Sequence, residues 1–275
     1  MRPLVLEPLP CLHEATCVQI KGTRAICSDC HSFFDLRALE TPFTYDDSYP
    51  LARDHFNSDI GTAKIHSLER WLKKTRIDVS KLSVCEVGFG AGQTLGYLQK
   101  RARSVWGIEA IAKNRQHVIA LGLPADHILP FEHLLPPLPE TIDLWIFLDS
   151  FEHLTRPNLF MPWLVANSSR RARALIVAPR ADSFSQRLMG PAWPHRVPDH
   201  PFHWSLRGLT DFFRRFGFTP VHSFFPWKQI SFPMLMAHLR HKLGRPESLH
   251  FVDTYLPRWG FRFNIGEMGL VLSRD

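Results

Sequence analysis

The chain has 275 residues, with 33 Lys and Arg against 26 Asp and Glu for a formal net charge of +7. Its 45% hydrophobic and 21% charged residues describe a folded globular protein and exclude a disordered one. A chain this long buries a full core, so one large domain with a small appendage is expected.

From the N-terminus, Pro3, Glu7 and Pro8 interrupt the first residues, which lack the apolar core of a signal peptide. Residues 1–45 are rich in Cys, His and Pro, with short strand-like runs such as 17–20. Over 51–74, Ile60, Ile65, Leu68, Trp71 and Leu72 recur at helical spacing. Strands and helices then alternate: a strand at 84–87, a helix over 93–101, a strand at 105–108 and a helix over 113–121. The continuous apolar run at 142–148 predicts a strand buried on both faces, and 174–178 another. This β-α-β-α order predicts a mostly parallel sheet with helices on both faces. Further on, 209–216 predicts an amphipathic helix ended by Gly217, and 221–225 and 268–272 the closing strands. Between them, 227–263 is a long insertion with a basic helical stretch at 235–243. The longest apolar-dominated stretch, 142–151, is far short of the ~18 residues that span a bilayer.

The segment Val84-Cys-Glu-Val-Gly-Phe-Gly-Ala-Gly-Gln93 sets Glu86, Gly88, Gly90 and Gly92 at alternate positions between a strand and a helix. Glycines permit a tight turn and close approach of a ligand, and the helix start offers free N–H donors. A nicotinamide-dinucleotide fingerprint needs Gly-x-Gly-x-x-Gly. From Gly88 the third glycine falls on Gln93, and from Gly90 on Leu95, so that motif fails in both registers. The next strand ends in Glu109, a carboxylate suited to a pair of ribose hydroxyls.

Glu-x-Gly-x-Gly-x-Gly resembles the first motif of class I S-adenosylmethionine-dependent methyltransferases. Asp149-Ser-Phe-Glu-His-Leu154, after the apolar strand, is similar to the fourth-strand motif of the ubiquinone-type O-methyltransferases. Residues 183–193 and 198–205 resemble that group's substrate-side loop, in which His200 takes the place of the loop histidine. The resemblance covers residues 45–275 and is densest over 84–205. It implies a Rossmann-like α/β fold, a seven-stranded sheet with its last strand antiparallel. It also implies S-adenosylmethionine held by Glu86, Gly88, Gly90, Gly92 and Glu109, with Ile111 and Glu132 toward the adenine and Asp149 at the cofactor side.

Removing a proton from a hydroxyl acceptor needs a base, most often histidine. Ligands of open α/β sheets lie beyond the carboxyl ends of the strands, which brings forward His153 after the fourth strand and His200 after the fifth. His203, between Phe202 and Trp204, reads instead as a packed loop residue. Asp149, Glu152 and His153 offer a divalent cation two carboxylates and an imidazole. Four prolines over 191–201 preclude a helix, and with Trp193 and Trp204 they predict a mobile flap.

Four of the five cysteines, Cys11, Cys17, Cys27 and Cys30, fall in the first thirty residues. An odd, clustered set is no extracellular disulfide framework, so a cytoplasmic location is expected. Cys27-x-x-Cys30 has the bite of a zinc knuckle, and so short and apolar-poor a segment needs a clip; a structural zinc on the four thiolates is expected. Cys85 reads as a small core residue.

The expected organisation is a Cys-rich zinc-binding module over 1–45 and a methyltransferase domain over 46–275, acting on a small-molecule acceptor, with O-methylation favoured. A sugar C- or N-methyltransferase is the alternative, since zinc modules precede the domain in relatives that methylate sugars. From another class, the alternative is a nucleic-acid-binding protein with a non-catalytic Rossmann domain. The mild, scattered charge does not call for nucleic acid, its densest basic cluster being Arg170, Arg171 and Arg173.

Overall fold

The computed structural model describes residues 18–40, 58–131, 135–231 and 260–274. Helix α2 (Ser58–Lys74) leads into an alternating series: β4 (Ser83–Val87), α3 (Gln93–Gln99), β5 (Ser104–Glu109), α4 (Ala112–Ala120) and β6 (Ile128–Pro130). Then come β7 (Ile142–Leu148), α5 (Pro157–Ala166), β8 (Ser168–Pro179), α6 (Phe184–Met189), α7 (Leu206–Arg214), β10 (Phe218–Phe224) and β13 (Glu267–Arg274). These strands form one seven-stranded sheet in the order β10-β13-β8-β7-β4-β5-β6. It is parallel from β6 to β8, while β13 lies antiparallel to both β8 and β10.

Alternating side chains along each strand build two core layers. Cys85, Val87, Trp145, Phe147 and Ile176 pack with Phe160 and Leu164 of α5 and Leu209 and Phe212 of α7. Val84, Leu144, Ile146, Leu175 and Val177 face the other way, onto Leu68 and Trp71 of α2, Leu95 and Leu98 of α3 and Val118 of α4. Each large buried apolar side chain stabilises the fold by roughly 1.5–3 kcal/mol, which is why the central strands are mostly apolar. Cys85 is fully buried, a core residue as expected.

Three elements differ from the sequence expectation. Strand β8 begins at Ser168 because Arg170, Arg171 and Arg173 are its solvated start, and their charge hides the strand period. Helix α5 starts at Pro157, a favoured first position, but carries Pro162 inside, which argues against a helix from sequence. Helix α7 begins at Leu206, capped by the Ser205 hydroxyl accepting the Gly208 N–H at 2.9 Å.

The N-terminal segment forms β1 (Val18–Lys21), β2 (Arg24–Cys27), β3 (Phe33–Asp35) and helix α1 (Leu36–Glu40). Its antiparallel sheet takes a fourth strand, β9 (Phe202–His203), from the loop after β8. Phe33 pairs with His203 and Phe34 with Phe202. Ser32 Oγ accepts the Ser205 N–H at 2.9 Å, and the Cys30 thiol donates to Ser32 Oγ at 3.3 Å. The expected flap is therefore anchored at its far end: Trp204 is fully buried among Phe34, Phe151 and Phe212. Trp193 is buried as well, its Nε1 donating to the Ile265 carbonyl at 2.7 Å. Within the 227–263 insertion, β11 (Lys228–Ser231) and β12 (Gly260–Phe263) pair with each other; the 235–243 stretch lies outside the described residues.

Candidate active site

Strand β4 delivers Glu86 and then the glycine loop. Gly88, Gly90 and Gly92 all have positive φ, at 73°, 57° and 77°, a region costly for side-chain-bearing residues. A Cβ on Gly88 would lie 2.5 Å from Ser150 Cβ, and one on Gly92 would overlap Val118. The loop thus fits tightly against the turn after β7 and against α4. Ser150 reinforces that contact by donating its hydroxyl to the Val87 carbonyl at 2.6 Å.

Glu86 is 2% exposed, and burial pushes its carboxyl up to about 7. Oε1 accepts the Thr94 hydroxyl, while Oε2 is buried with no partner among the described residues. A buried acceptor left unmet costs ~1–3 kcal/mol, and a donor group on a ligand in the adjacent loop offsets that cost. Glu109 ends β5, buried, its Oε2 accepting the Gly90 N–H at 2.8 Å and its Oε1 the Ile111 N–H at 2.9 Å. Burial raises its pKa, and the N–H groups of Ile111, Gly90 and Ala110 oppose the rise. Each carboxylate oxygen has a second lone pair, so donors from a ligand can be added. Ile111 is buried at the start of α4. The orphaned Glu86 oxygen, the second Glu109 carboxylate and the glycine cradle suit a ligand with an amine and vicinal hydroxyls, as S-adenosylmethionine has. Glu132 lies outside the described residues.

After β7 the chain turns sharply at Asp149, whose φ is 54° and whose N–H donates to the Val177 carbonyl at 2.8 Å. A short helical turn, Phe151–His153, follows. His153 Nδ1 donates to the Asp199 carbonyl at 2.8 Å, and the Asp199 carboxylate lies 3.7 Å away. The His153 and His200 rings meet edge to face, 4.5 Å between centroids. The His195 carbonyl accepts from His200 Nδ1 at 2.8 Å and from His203 Nε2 at 3.3 Å. A carbonyl only accepts, so Nδ1 of His200 carries its proton and Nε2 holds the lone pair. Burial lowers the pKa of His153 and takes that of His200 well below 6.5, with the neighbouring imidazoles adding to the effect at His200. His203 is pushed down to about 4 by burial and stacks on Phe33 at 4.3 Å, a packed residue as expected.

Glu152, His153 and His200 bring one ligand-type atom each within 4.8 Å of one another. This corrects the cation set read from the sequence: His200 joins Glu152 and His153, and Asp149 does not. Asp149 still touches the cluster, since its backbone and its charge both favour a proton on His153, but it is not one of the three grouped ligand atoms. Sequence reasoning missed Asp199, which positions His153, and Glu267, whose Oε1 lies 3.5 Å from His195 Nε2. Neither residue has a periodic or motif signal, since loop contacts unite them with the cluster.

In the N-terminal sheet, Cys27 and Cys30 are buried. The N–H groups of Cys30 and Asp29 face the Cys27 thiol, whose pKa burial raises. Cys11 and Cys17 lie outside the described residues.

A seven-stranded sheet of this order, with a glycine loop after its first strand and an acidic residue ending the second, defines a nucleoside-cofactor-binding α/β enzyme. The family described as a methyltransferase domain matches residues 56–223, and the chain belongs to that family. S-adenosylmethionine is accordingly its cofactor and methyl transfer its class of reaction. Among solved structures, it is similar to a putative methyltransferase from Bacillus halodurans, 14% identical, TM-score 0.55, covering 74% of this chain and 97% of that one. A SAM-dependent methyltransferase from Archaeoglobus fulgidus is 12% identical, TM-score 0.54, over 83% of this chain and 100% of that one. The plantazolicin methyltransferase BamL, in complex with a triazolic desmethylPZN analog and SAH, is 15% identical, TM-score 0.51, over 82% and 88%. At these identities the likeness is one of fold. No curated protein matches the chain by sequence.

Proposed function

We propose that the chain methylates a hydroxyl of a small-molecule acceptor, with His153 or His200 taking the hydroxyl proton. The observation that carries this reading is the contact between the glycine loop and the histidine-bearing turn through Gly88 and Ser150. It joins the cofactor cradle to two imidazoles whose protons are positioned by carbonyls. S-adenosylmethionine, when bound, supplies an electrophilic methyl group. Glu86 and Glu109 orient it from the strand ends, and a neutral imidazole beside the acceptor removes the proton. Positioning of the acceptor supplies much of the remaining rate. The His-rich acceptor side favours oxygen over the carbon or nitrogen of a sugar. The test is incubation with methyl-labelled cofactor and metabolite extracts, followed by mass spectrometry. A labelled methyl ether with equimolar SAH is the expected product; label on carbon or nitrogen gives the reading to the sugar alternative, and label on nucleic acid rejects a small acceptor. Among the described residues no helix is long and apolar enough to cross a membrane, and the cysteine usage supports a cytoplasmic place.

A structural zinc on Cys11, Cys17, Cys27 and Cys30 belongs to the same proposal. Two buried thiols with two residues between them, and N–H groups aimed at the first sulfur, suit a pair of thiolates neutralised by a dication. Protein purified without chelator should hold about one zinc per chain, as four thiolates close one tetrahedral site. Metal analysis that finds none, with the sheet intact, removes it. The Glu152, His153 and His200 cluster is assigned to proton transfer instead of a second metal, because two positioned imidazoles beside the cofactor loop meet the needs of a hydroxyl acceptor.

A further inference from the structure

A cavity lies where the N-terminal sheet meets the segment after β8. It has a volume of about 360 Å³, within the range of small-molecule sites, and is lined by Arg24, Ile26, His31 and Phe33 on one side and by residues including Asp182 and Arg187 on the other. Its apolar floor is Phe33, buried against His203. Its charge is positive. The Arg24 guanidinium lies 5.6 Å from the Phe33 ring centroid. Among the described residues, no carboxylate comes within ion-pair distance of Arg24 or Arg187. Asp182 is committed to Arg180, accepting from Nε and from Nη2, each at 2.9 Å. Asp35, opposite Arg24 in the strand ladder, accepts the Arg37 N–H at 3.0 Å.

Two guanidinium groups beside an apolar floor form a receptor for a phosphate carried on an organic body, because each planar fork can meet two phosphate oxygens. The buried rings of Phe33 and His203 separate the cavity from the histidine cluster. Ala181 and Asp182 come two and three residues after β8 ends at Pro179, on the side of the sheet where its parallel strands end. Phe33, which lines the cavity, stacks on His203, and the His203 ring is 6.0 Å from that of His200. The cavity therefore lies one aromatic layer behind the histidine cluster.

We propose that this cavity between β2–β3 and α6 binds an organic phosphate ester, its phosphate held by Arg24 and Arg187, as a site separate from the methyl-transfer centre. Binding is tested apart from turnover. The full chain, with and without saturating SAH, is titrated calorimetrically with phenyl phosphate and with phenol as its uncharged counterpart. Phenyl phosphate should bind saturably, and Arg24→Gln and Arg187→Gln should each weaken it about tenfold or more while leaving SAH affinity unchanged. Arg187 is exposed on α6, so its replacement spares the core. Arg187→Lys should recover part of the affinity, as a point charge without the planar fork. No saturable binding, binding that both Gln variants keep, or phenol binding as tightly as phenyl phosphate overturns the proposal. Because SAH is titrated separately, a chain that takes SAH but not phenyl phosphate loses only this site, and one that takes no SAH loses the methyl-transfer reading instead.

Discussion

Replacing Glu109 by Ala is expected to weaken SAH binding by about 100-fold, the equivalent of one or two charge-assisted hydrogen bonds. The carboxylate has two tasks. It accepts the N–H groups of Gly90 and Ile111, which fixes the loop against the start of α4. Its remaining lone pairs can accept the ribose hydroxyls of a bound cofactor. Alanine removes both functions and leaves the two N–H groups without their acceptor. Glu109→Gln keeps one acceptor oxygen and should fall between Ala and the parent. Calorimetry with SAH, alongside a urea denaturation curve, separates the two tasks. Unchanged SAH affinity in Glu109→Ala places the cofactor elsewhere, and an equal loss in a variant that has unfolded shows only the loop role.

Turnover on the identified acceptor should fall by about 100-fold or more in His153→Asn if His153 is the base, with SAH affinity nearly unchanged. Asn can keep the hydrogen bond to the Asp199 carbonyl that Nδ1 now makes at 2.8 Å, while removing the proton acceptor. His200→Asn is the matching test for the second imidazole. The pH profile carries an independent sign. A base works when neutral, and both imidazoles are held below the ordinary histidine value by burial. kcat/KM is therefore expected to stay level from pH 8 through about 6.5, the free-imidazole value, and to decline only below it. A limb centred at or above 6.5 would contradict these two as the base, and full turnover in both Asn variants would pass the role to Glu152 or Asp149.

Much of the sheet was legible because its central strands are buried on both faces: Ile142–Leu148 is apolar enough to be recognised without tertiary information. The glycine loop was legible for a related reason. Its spacing records both the positive φ values and the close approach of Ser150 and Val118. The N-terminal sheet was only half legible, since a two-residue strand such as β9 has no period, and its partner lies far away in sequence. The acceptor-side histidines could be gathered by the strand-end rule, yet their tautomers depend on the Asp199 and His195 carbonyls. Loop carbonyl positions leave no trace in composition or spacing. Asp149 was grouped with Glu152 and His153 through the family resemblance, whereas His200, which completes the close set, comes from a loop far along the chain.

The pairing of Phe33 with His203 also bears on how the chain comes to be folded. The two residues are 203 − 33 = 170 positions apart. At ribosomal rates of about 5–20 residues per second, the N-terminal ribbon waits roughly 10 to 30 s for its fourth strand to be made. Closure over so long a separation is slow even without synthesis, because the entropy of the intervening chain is lost before the contact is gained. Through that interval Phe33 and Phe34 lack their partners, and the two nearby thiols are open to oxidation or to capture of a metal ion. A cross-link within the first thirty residues would shelter the ribbon during the wait. The N-terminal segment thus begins synthesis first and completes its sheet late, after the parallel strands β4 to β8 have all been made.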